Sequence, residues 1–153
     1  IFPMSTVPNV WHIPRSVFEP IWRMGITGKG VVVAHIDTGV NKHPLLPKPL
    51  AVRNFTSSRG GVNDVSDRHG HGTHCSGSSV GRDGIGYAPE ASHIFAKVLS
   101  DSGSGSSSWI NSGRVWAAKE GADIISESLG GGSGGRADTD AIEAAYEHGI
   151  CLD

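Results

Sequence analysis

The sequence has two cysteines, no long apolar run and no run of charges of one sign. No apolar stretch approaches the ~20 residues that a transmembrane helix needs, and we recognise no signal peptide. Acidic and basic residues are mixed at a net charge of −2, so nothing indicates a surface for nucleic acid or for membranes. Cys75 and Cys151 could form a disulfide or stay free thiols, and their contexts favour small buried hydrophobic residues.

Glycine is abundant, at 22 of 153 residues, and the hydrophobic fraction is a modest 37%. The length fits one globular domain, which would bury about 70% of the surface of its unfolded chain. The first residues carry two prolines and no periodicity. We therefore predict an extended arm over residues 1–10 and a single domain over residues 11–153.

Short apolar runs alternate with helical patterns along the chain. Residues 31–37 form an apolar run after a glycine turn, which is typical of a strand buried on both faces of a parallel sheet. The predicted strands span residues 31–37, 51–55, 91–99, 124–129 and 150–152. The predicted helices span residues 14–22, 72–80, 109–120 and 137–148, the first interrupted near Pro20 and the third capped by Ser107 or Ser108. This order predicts an α/β domain with a mainly parallel sheet and right-handed crossovers.

A carboxylate and a histidine stand where α/β proteins gather reactive groups. Asp37 ends the apolar run at residues 31–37, and His71 precedes the predicted helix at residues 72–80. Ligand groups in such sheets lie at the carboxyl ends of strands and the amino ends of helices. A neutral imidazole is the usual general base near pH 7, and a buried aspartate fixes its tautomer. The two residues would supply two thirds of a nucleophilic triad, in which a serine is the missing third.

The motifs around these residues are Asp-Thr-Gly at residues 37–39 and His-Gly-Thr-His at residues 71–74. In this chain order they resemble the subtilisin-like serine proteases, the subtilases, and Cys75 after the second motif resembles the proteinase K branch. The resemblance covers nearly the whole chain and implies a doubly wound, mainly parallel sheet flanked by helices. It also implies that Asp37 and His71 are catalytic residues of a serine endopeptidase.

Two further segments match positions at which the family binds substrate. The 103–105 segment consists of Gly103, Ser104 and Gly105. The 128–130 segment consists of Ser128, Leu129 and Gly130. The resemblance implies that a peptide or protein substrate is held as an added strand between the two segments. By composition alone, residues 100–108 would be a flexible linker.

The sequence holds only part of what the family needs. No Gly-Thr-Ser-Met-Ala-type motif supplies a nucleophilic serine, and the oxyanion-hole asparagine would follow the strand at residues 150–152. We therefore expect a truncated, N-terminal portion of a peptidase domain that is inactive alone. It would be completed by a companion fragment that carries the serine, or would serve as a pseudoenzyme or structural module that binds peptides. The family implies a secreted or extracellular location.

We expect no cofactor and no metal. Many subtilases hold a structural calcium, but here the loop at residues 79–84 is short and Leu45 stands where an aspartate often binds calcium. A zinc site remains an alternative, because imidazole and thiolate suit zinc, although the spacing matches no zinc pattern. Its candidate ligands are His69, His71, His74 and Cys75.

Two other patterns have alternative interpretations. Residues 130–135 contain G-x-G-x-x-G after a strand and before a helix, which is the fingerprint of a dinucleotide-binding domain and stays a minor alternative. His35 lies inside an apolar strand, and we interpret it as a core histidine with satisfied hydrogen bonds.

Overall fold

The structure, a computed structural model, describes residues 10–131, 135–147 and 151–152. The strands are β1 (Val32–Asp37), β2 (Val52–Asn54), β3 (Ser92–Lys97), β4 (Ile124–Ser126) and β5 (Cys151–Leu152). The helices are α1 (Arg15–Arg23), α2 (His71–Val80), α3 (Ser107–Lys119) and α4 (Arg136–Glu147). Nearly all of the predicted N-terminal arm lies outside the described residues.

The five strands form one sheet in the order β2-β3-β1-β4-β5, and every neighbouring pair is parallel. This confirms the predicted α/β fold with a parallel sheet. β1 lies in the middle, paired with β3 on one side and β4 on the other. Because all strands run the same way, the residues that follow β1, β3 and β4 meet at one edge of the sheet.

The two faces of β1 pack against different helices. Ala34 and Ile36 belong to a core cluster that also contains Trp116 and Ala117 of α3. On the other face, Val33 packs in a cluster with Val80 of α2. The alternation follows from the period of two in a strand, and the sheet is therefore covered by helices on both sides.

The structure differs from several predicted details of the elements. α3 begins at Ser107 and is capped by Ser106, whose Oγ accepts the backbone N–H of Trp109 at 3.3 Å, so neither Ser107 nor Ser108 is the cap. β4 ends at Ser126, which leaves Leu129 beyond the strand. α1 is not interrupted at Pro20: it runs from Arg15 to Arg23, and the carbonyl of Pro20 accepts from the amide of Met24 at 3.1 Å.

His35 is buried as predicted, but its hydrogen bonds are not all satisfied. It is 1% exposed, and its Nδ1 lies 3.4 Å from Nδ1 of His93, which is also buried. Nε2 of His35 has no hydrogen-bond partner. Burial, with the nearby His93, lowers the pKa of His35 to about 3, so its imidazole is neutral in the fold.

Among the described helices, none is both long enough and apolar enough to cross a bilayer.

Candidate active site

The end of β1 and the start of α2 bring Asp37 and His71 into contact. Nδ1 of His71 lies 2.9 Å from both carboxylate oxygens of Asp37. Asp37 is 2% exposed, whereas the side chain of His71 is 40% exposed. A carboxylate only accepts hydrogen bonds, so Nδ1 of a neutral His71 carries the proton and Nε2 keeps a free lone pair. The two residues that the sequence singled out are therefore paired in the arrangement expected of a general base and its orienting carboxylate.

Asp67 organises the turn before α2, and the sequence analysis did not single it out. Its Oδ2 accepts from the amide of Thr73 at 2.9 Å and from the Thr73 hydroxyl at 2.6 Å. Its Oδ1 accepts from the hydroxyl of Thr38 at 2.9 Å and the amide of Gly70 at 2.8 Å. A carboxylate at the amino end of a helix satisfies free amides and favours the helix dipole. Asp67 thereby joins the motif at residues 37–39 to the motif at residues 71–74.

The charge on Asp67 follows from these contacts. Burial opposes ionisation, but the hydrogen bonds from Thr73, Gly70 and Thr38 outweigh it and lower the pKa of this carboxyl. Thr38 has a second role, because its hydroxyl accepts the amide of Gly72 at 3.0 Å. An aspartate a few residues before a helix that starts at His71 was a sequence signal for such a cap.

Cys75 lies beside the imidazole of His71. Its Sγ is 3.8 Å from both ring nitrogens, so the sulfur lies against the ring itself. Cys75 is a free cysteine of intermediate burial, which corrects the expectation of a buried residue. Burial is the main cause that raises the pKa of its thiol, which therefore stays protonated near neutral pH. The side chain of Cys151 lies outside the described residues.

A cleft of about 1090 Å³ opens next to this pair. His71 lines it together with all six residues of the 103–105 and 128–130 segments. Asp37 is not part of its lining and lies behind His71. The structure thus brings the predicted substrate-binding residues to the cleft that exposes His71, although they come from widely separated parts of the chain.

His69 forms part of the cleft wall on the side of the 103–105 segment. Its ring is edge-on to that of His71, with centroids 6.2 Å apart. A Cβ added to Gly103 would lie 2.9 Å from Nε2 of His69, and Gly103 has a φ of +79°. Only glycine combines this backbone conformation with this close approach at low cost, which explains the glycine at this position.

Lys97 is a buried lysine near the site that the sequence analysis did not identify as a site residue. It pairs in register with Asp37 across β1 and β3 and is 1% exposed. Its Nζ donates to the carbonyl of Thr38 and lies 3.1 Å from the carboxylate of Asp101. Lys97 therefore connects the end of β1 to the loop that leads into the 103–105 segment.

The zinc alternative fits the geometry only in part. Donor atoms of Asp37, His71 and Cys75 lie within 4.8 Å of one another. His69 and His74, the other two sequence candidates, are not in this group, which is the only one of its kind among the described residues. Nδ1 of His71 already donates to Asp37, so a metal bound there would displace that contact. The expectation of no metal and no cofactor stays a prediction.

Comparisons with known proteins agree with this geometry. The model of Peptidase_S8, the subtilase family, matches residues 28–152. The major intracellular serine protease of Bacillus subtilis (strain 168) is 41% identical over 140 residues, covering 86% of this chain and 44% of that protein. Subtilisin DY of Bacillus licheniformis is 38% identical over 152 residues, covering 97% of this chain and 54% of that protein. The chain spans about half the length of these curated relatives.

A solved structure supports the fold independently. The crystal structure of a cold adapted subtilisin-like serine proteinase matches with a TM-score of 0.73 at 34% identity, covering 82% of this chain and 46% of that chain. This likeness confirms the predicted fold. The family match includes residues 130–135, so the dinucleotide-binding alternative gains no support; part of its fingerprint, residues 132–134, lies outside the described residues.

Proposed function

Because the chain belongs to the subtilase family, we propose that it is the Asp- and His-bearing part of the catalytic domain of a serine endopeptidase. The observation that carries this proposal is the contact between Asp37 and Nδ1 of His71 at the mouth of the cleft. Asp37 would orient the imidazole and stabilise its protonated form, and His71 would act as general base and then as general acid.

The reaction needs a serine that the rest of the domain would supply. Nε2 of His71 would take the serine hydroxyl proton while the serine oxygen bonds to the carbonyl carbon of the substrate. The same proton would pass to the leaving nitrogen as the C–N bond breaks, which leaves an acyl-enzyme. Water would then release the acyl group by the same route, with His71 again as base.

The substrate in this proposal is an extended peptide or an unfolded stretch of a protein. Its backbone would pair with the 103–105 segment on one side and the 128–130 segment on the other, as an added strand. Backbone pairing would supply affinity, and side-chain pockets along the cleft would supply selectivity. The apolar lining of Leu99, Ile110 and Leu129 favours substrates with apolar side chains.

Intact mass combined with a fluorophosphonate serine probe tests the proposal. We expect a 16.0 kDa chain that the probe does not label, and labelling of a larger or associated species that carries the serine. Turnover by the pure 153-residue chain, abolished by the same probe, would contradict its expected inactivity. If the chain binds a blocked peptide but no serine-bearing species restores cleavage, the peptide-binding module is the correct alternative.

The location of the protein, inside or outside the cell, does not follow from its family, so we treat it as part of the proposal. The relatives include a minor extracellular protease and a major intracellular serine protease, so membership of the family is compatible with either side of the membrane. We propose the extracellular location that the resemblance first implied. Fractionation of the producing cells, with the chain detected by an antibody, decides between the two.

A further inference from the structure

A largely buried ion pair forms part of one wall of the cleft. Arg114 of α3 donates from Nε and from Nη2 to the two carboxylate oxygens of Glu127, each at 2.7 Å. Both side chains are only 12% exposed. This two-point contact is the strongest geometry available to an arginine and a carboxylate, and it fixes direction as well as distance.

The pair continues into a network that reaches α4. Nη1 of Arg114 donates to the side-chain oxygen of Asn111 at 2.9 Å, and the amide group of Asn111 donates to Asp138 at 3.0 Å. Asp138 also accepts the backbone N–H of Gly135 at 2.7 Å, just before α4. The network therefore ties α3, the end of β4 and the start of α4 together.

Glu127 immediately precedes the 128–130 segment, and within the described part of the chain few other contacts hold that segment. β4 ends at Ser126, and among the described residues the backbone of this segment makes no loop hydrogen bond. Leu129 packs against the core cluster, and the side chain of Ser128 contacts the thiol of Cys75. Of these anchors, the ion pair of Glu127 is the only charged one.

The stability of the fold does not by itself explain the ion pair between Arg114 and Glu127. A buried ion pair adds little net stability over apolar residues of similar volume, because both ions lose their hydration. Both members lie at the wall of the cleft, whereas α3 packs on the sheet through apolar side chains such as Trp116 and Ala117. The pair is therefore better explained by the backbone that it orients than by stability.

We propose that Arg114 and Glu127 are positioning residues that hold the 128–130 segment ready to pair with an extended peptide. That a peptide binds here rests on the proposed function. That the ion pair holds the 128–130 segment in place does not depend on the proposed function. Preorganisation of a binding edge raises affinity because the peptide does not have to order it.

Glu127→Gln tests the proposal, since it keeps the size of the side chain and removes its charge. The backbone ¹⁵N order parameters of residues 128–130 should fall from about 0.85 to below about 0.6, while those of β1 and β3 stay unchanged. The affinity for acetyl-Ala-Ala-Ala-Phe-amide, followed by chemical shifts, should drop roughly three- to tenfold. Arg114→Lys, which keeps the charge but loses the two-point contact, should give an intermediate result.

The matched control is Glu19→Gln, which removes the ion pair between Glu19 and Arg15 on α1, where the separation is 3.7 Å. It should change neither the segment nor the affinity. The proposal is overturned if the segment stays rigid in both test variants, or if order is lost equally in β1, β3 and the segment. If the wild-type chain binds no peptide while the segment alone loosens in Glu127→Gln, the positioning role stands and the proposed function fails.

Discussion

One hydrogen bond decides which nitrogen of His71 can act as a base. The carboxylate of Asp37 accepts from Nδ1, so the lone pair lies on Nε2. We predict that Asp37→Asn reverses this tautomer, because the amide of asparagine can donate to Nδ1 and leave the proton on Nε2. Imidazole ¹⁵N shifts at about pH 9 should report Nδ1–H in the wild-type chain and Nε2–H in the variant.

The control for this measurement is Asp83→Asn, at an exposed residue just beyond the far end of α2 with a φ of 55°, which asparagine also tolerates. It should leave the tautomer of His71 unchanged. If Asp37→Asn also keeps the proton on Nδ1, the carboxylate does not set the tautomer and its proposed role is wrong.

Asp67 offers a second test at the level of single residues. Its carboxylate accepts hydrogen bonds from Thr38, Gly70 and Thr73 while it is 5% exposed. We predict that Asp67→Ala lowers the free energy of unfolding at pH 7 by about 2–3 kcal/mol, since hydrogen bonds to a buried charge are lost and their donors are left unpaired. Urea unfolding of both chains measures the difference.

The pH dependence of that difference has a definite sign. The pKa of Asp67 is lower in the fold than in the unfolded chain, so its contribution is complete above the unfolded pKa of about 4. It should shrink as the pH falls through the folded pKa. A matched variant, Asp64→Ala, changes a carboxylate that contacts its neighbour Ser66, and it should cost much less. Equal losses in both variants would show that Asp67 has no special role.

At the scale of helices and strands, two glycines inside helices allow a test of how closely α3 packs on the sheet. A Cβ added to Gly113 in α3 would lie 2.6 Å from Cγ1 of buried Val98, whereas a Cβ on Gly77 in α2 would meet nothing within 4 Å. Gly113→Ala should therefore destabilise the chain by about 1–3 kcal/mol through overpacking. Gly77→Ala should stabilise it by about 0.5–1 kcal/mol, because alanine is the better helix former.

Thermal unfolding of the two alanine variants, measured side by side, separates packing from helix propensity. The two substitutions are chemically identical and both lie inside helices, so propensity alone would shift both midpoints upward. A higher midpoint for Gly113→Ala would mean that α3 can move away from β3, and that the close approach at Val98 does not constrain it.

Helices and strands were predicted best where burial of apolar side chains alone determines their position. The apolar run at residues 31–37 is buried on both faces, so β1 was placed to within one residue. Ser106, Ser107 and Ser108 are all acceptable caps by residue type, and only the direction of the incoming chain selects the first of them. Leu129 is apolar like a strand residue, but β4 ends earlier because it pairs with only three residues of β1.

Some residues of the candidate site could likewise be predicted from the sequence, and others could not. Asp37 and His71 follow from residue chemistry at a strand end and a helix start. The 103–105 and 128–130 segments are mostly glycine and serine, so only the family resemblance indicated them. Arg114 in α3 and Glu127 in the loop after β4 lie 13 residues apart, and a sequence pattern cannot show that their side chains meet.

At the scale of the whole molecule, β1 connects the site to the interior. Its carboxyl end supplies Asp37, while two residues earlier His35 lies in the centre of the sheet beside His93 of β3. Nε2 of His93 lies 2.9 Å from the carbonyl of Pro47, so it carries the proton of the neutral ring. Nδ1 of His93 then accepts from Nδ1 of His35, and Nε2 of His35 remains a buried acceptor without a donor.

This pair predicts how the stability of the whole fold depends on pH. Burial lowers the pKa of His93, and burial beside His93 lowers that of His35 to about 3, against about 6.5 in the unfolded chain. The unfolded chain therefore binds more protons below pH 6.5, and stability should fall by up to about 1.4 kcal/mol per pH unit for each histidine. Arg82, which also lowers the pKa of His93, disfavours protonation further.

We predict that the double variant His35→Val/His93→Leu removes most of this acid sensitivity between pH 6.5 and pH 4. Apolar side chains of suitable size can fill the site without the unpaired Nε2 of His35, and they bind no proton when the chain unfolds. Urea unfolding of both chains at half-unit pH steps measures the slope, and His74→Gln, at an exposed histidine, should follow the wild-type curve. If the double variant keeps the wild-type slope over this range, groups other than the two buried histidines cause the acid sensitivity, and the buried pair does not couple the fold to pH.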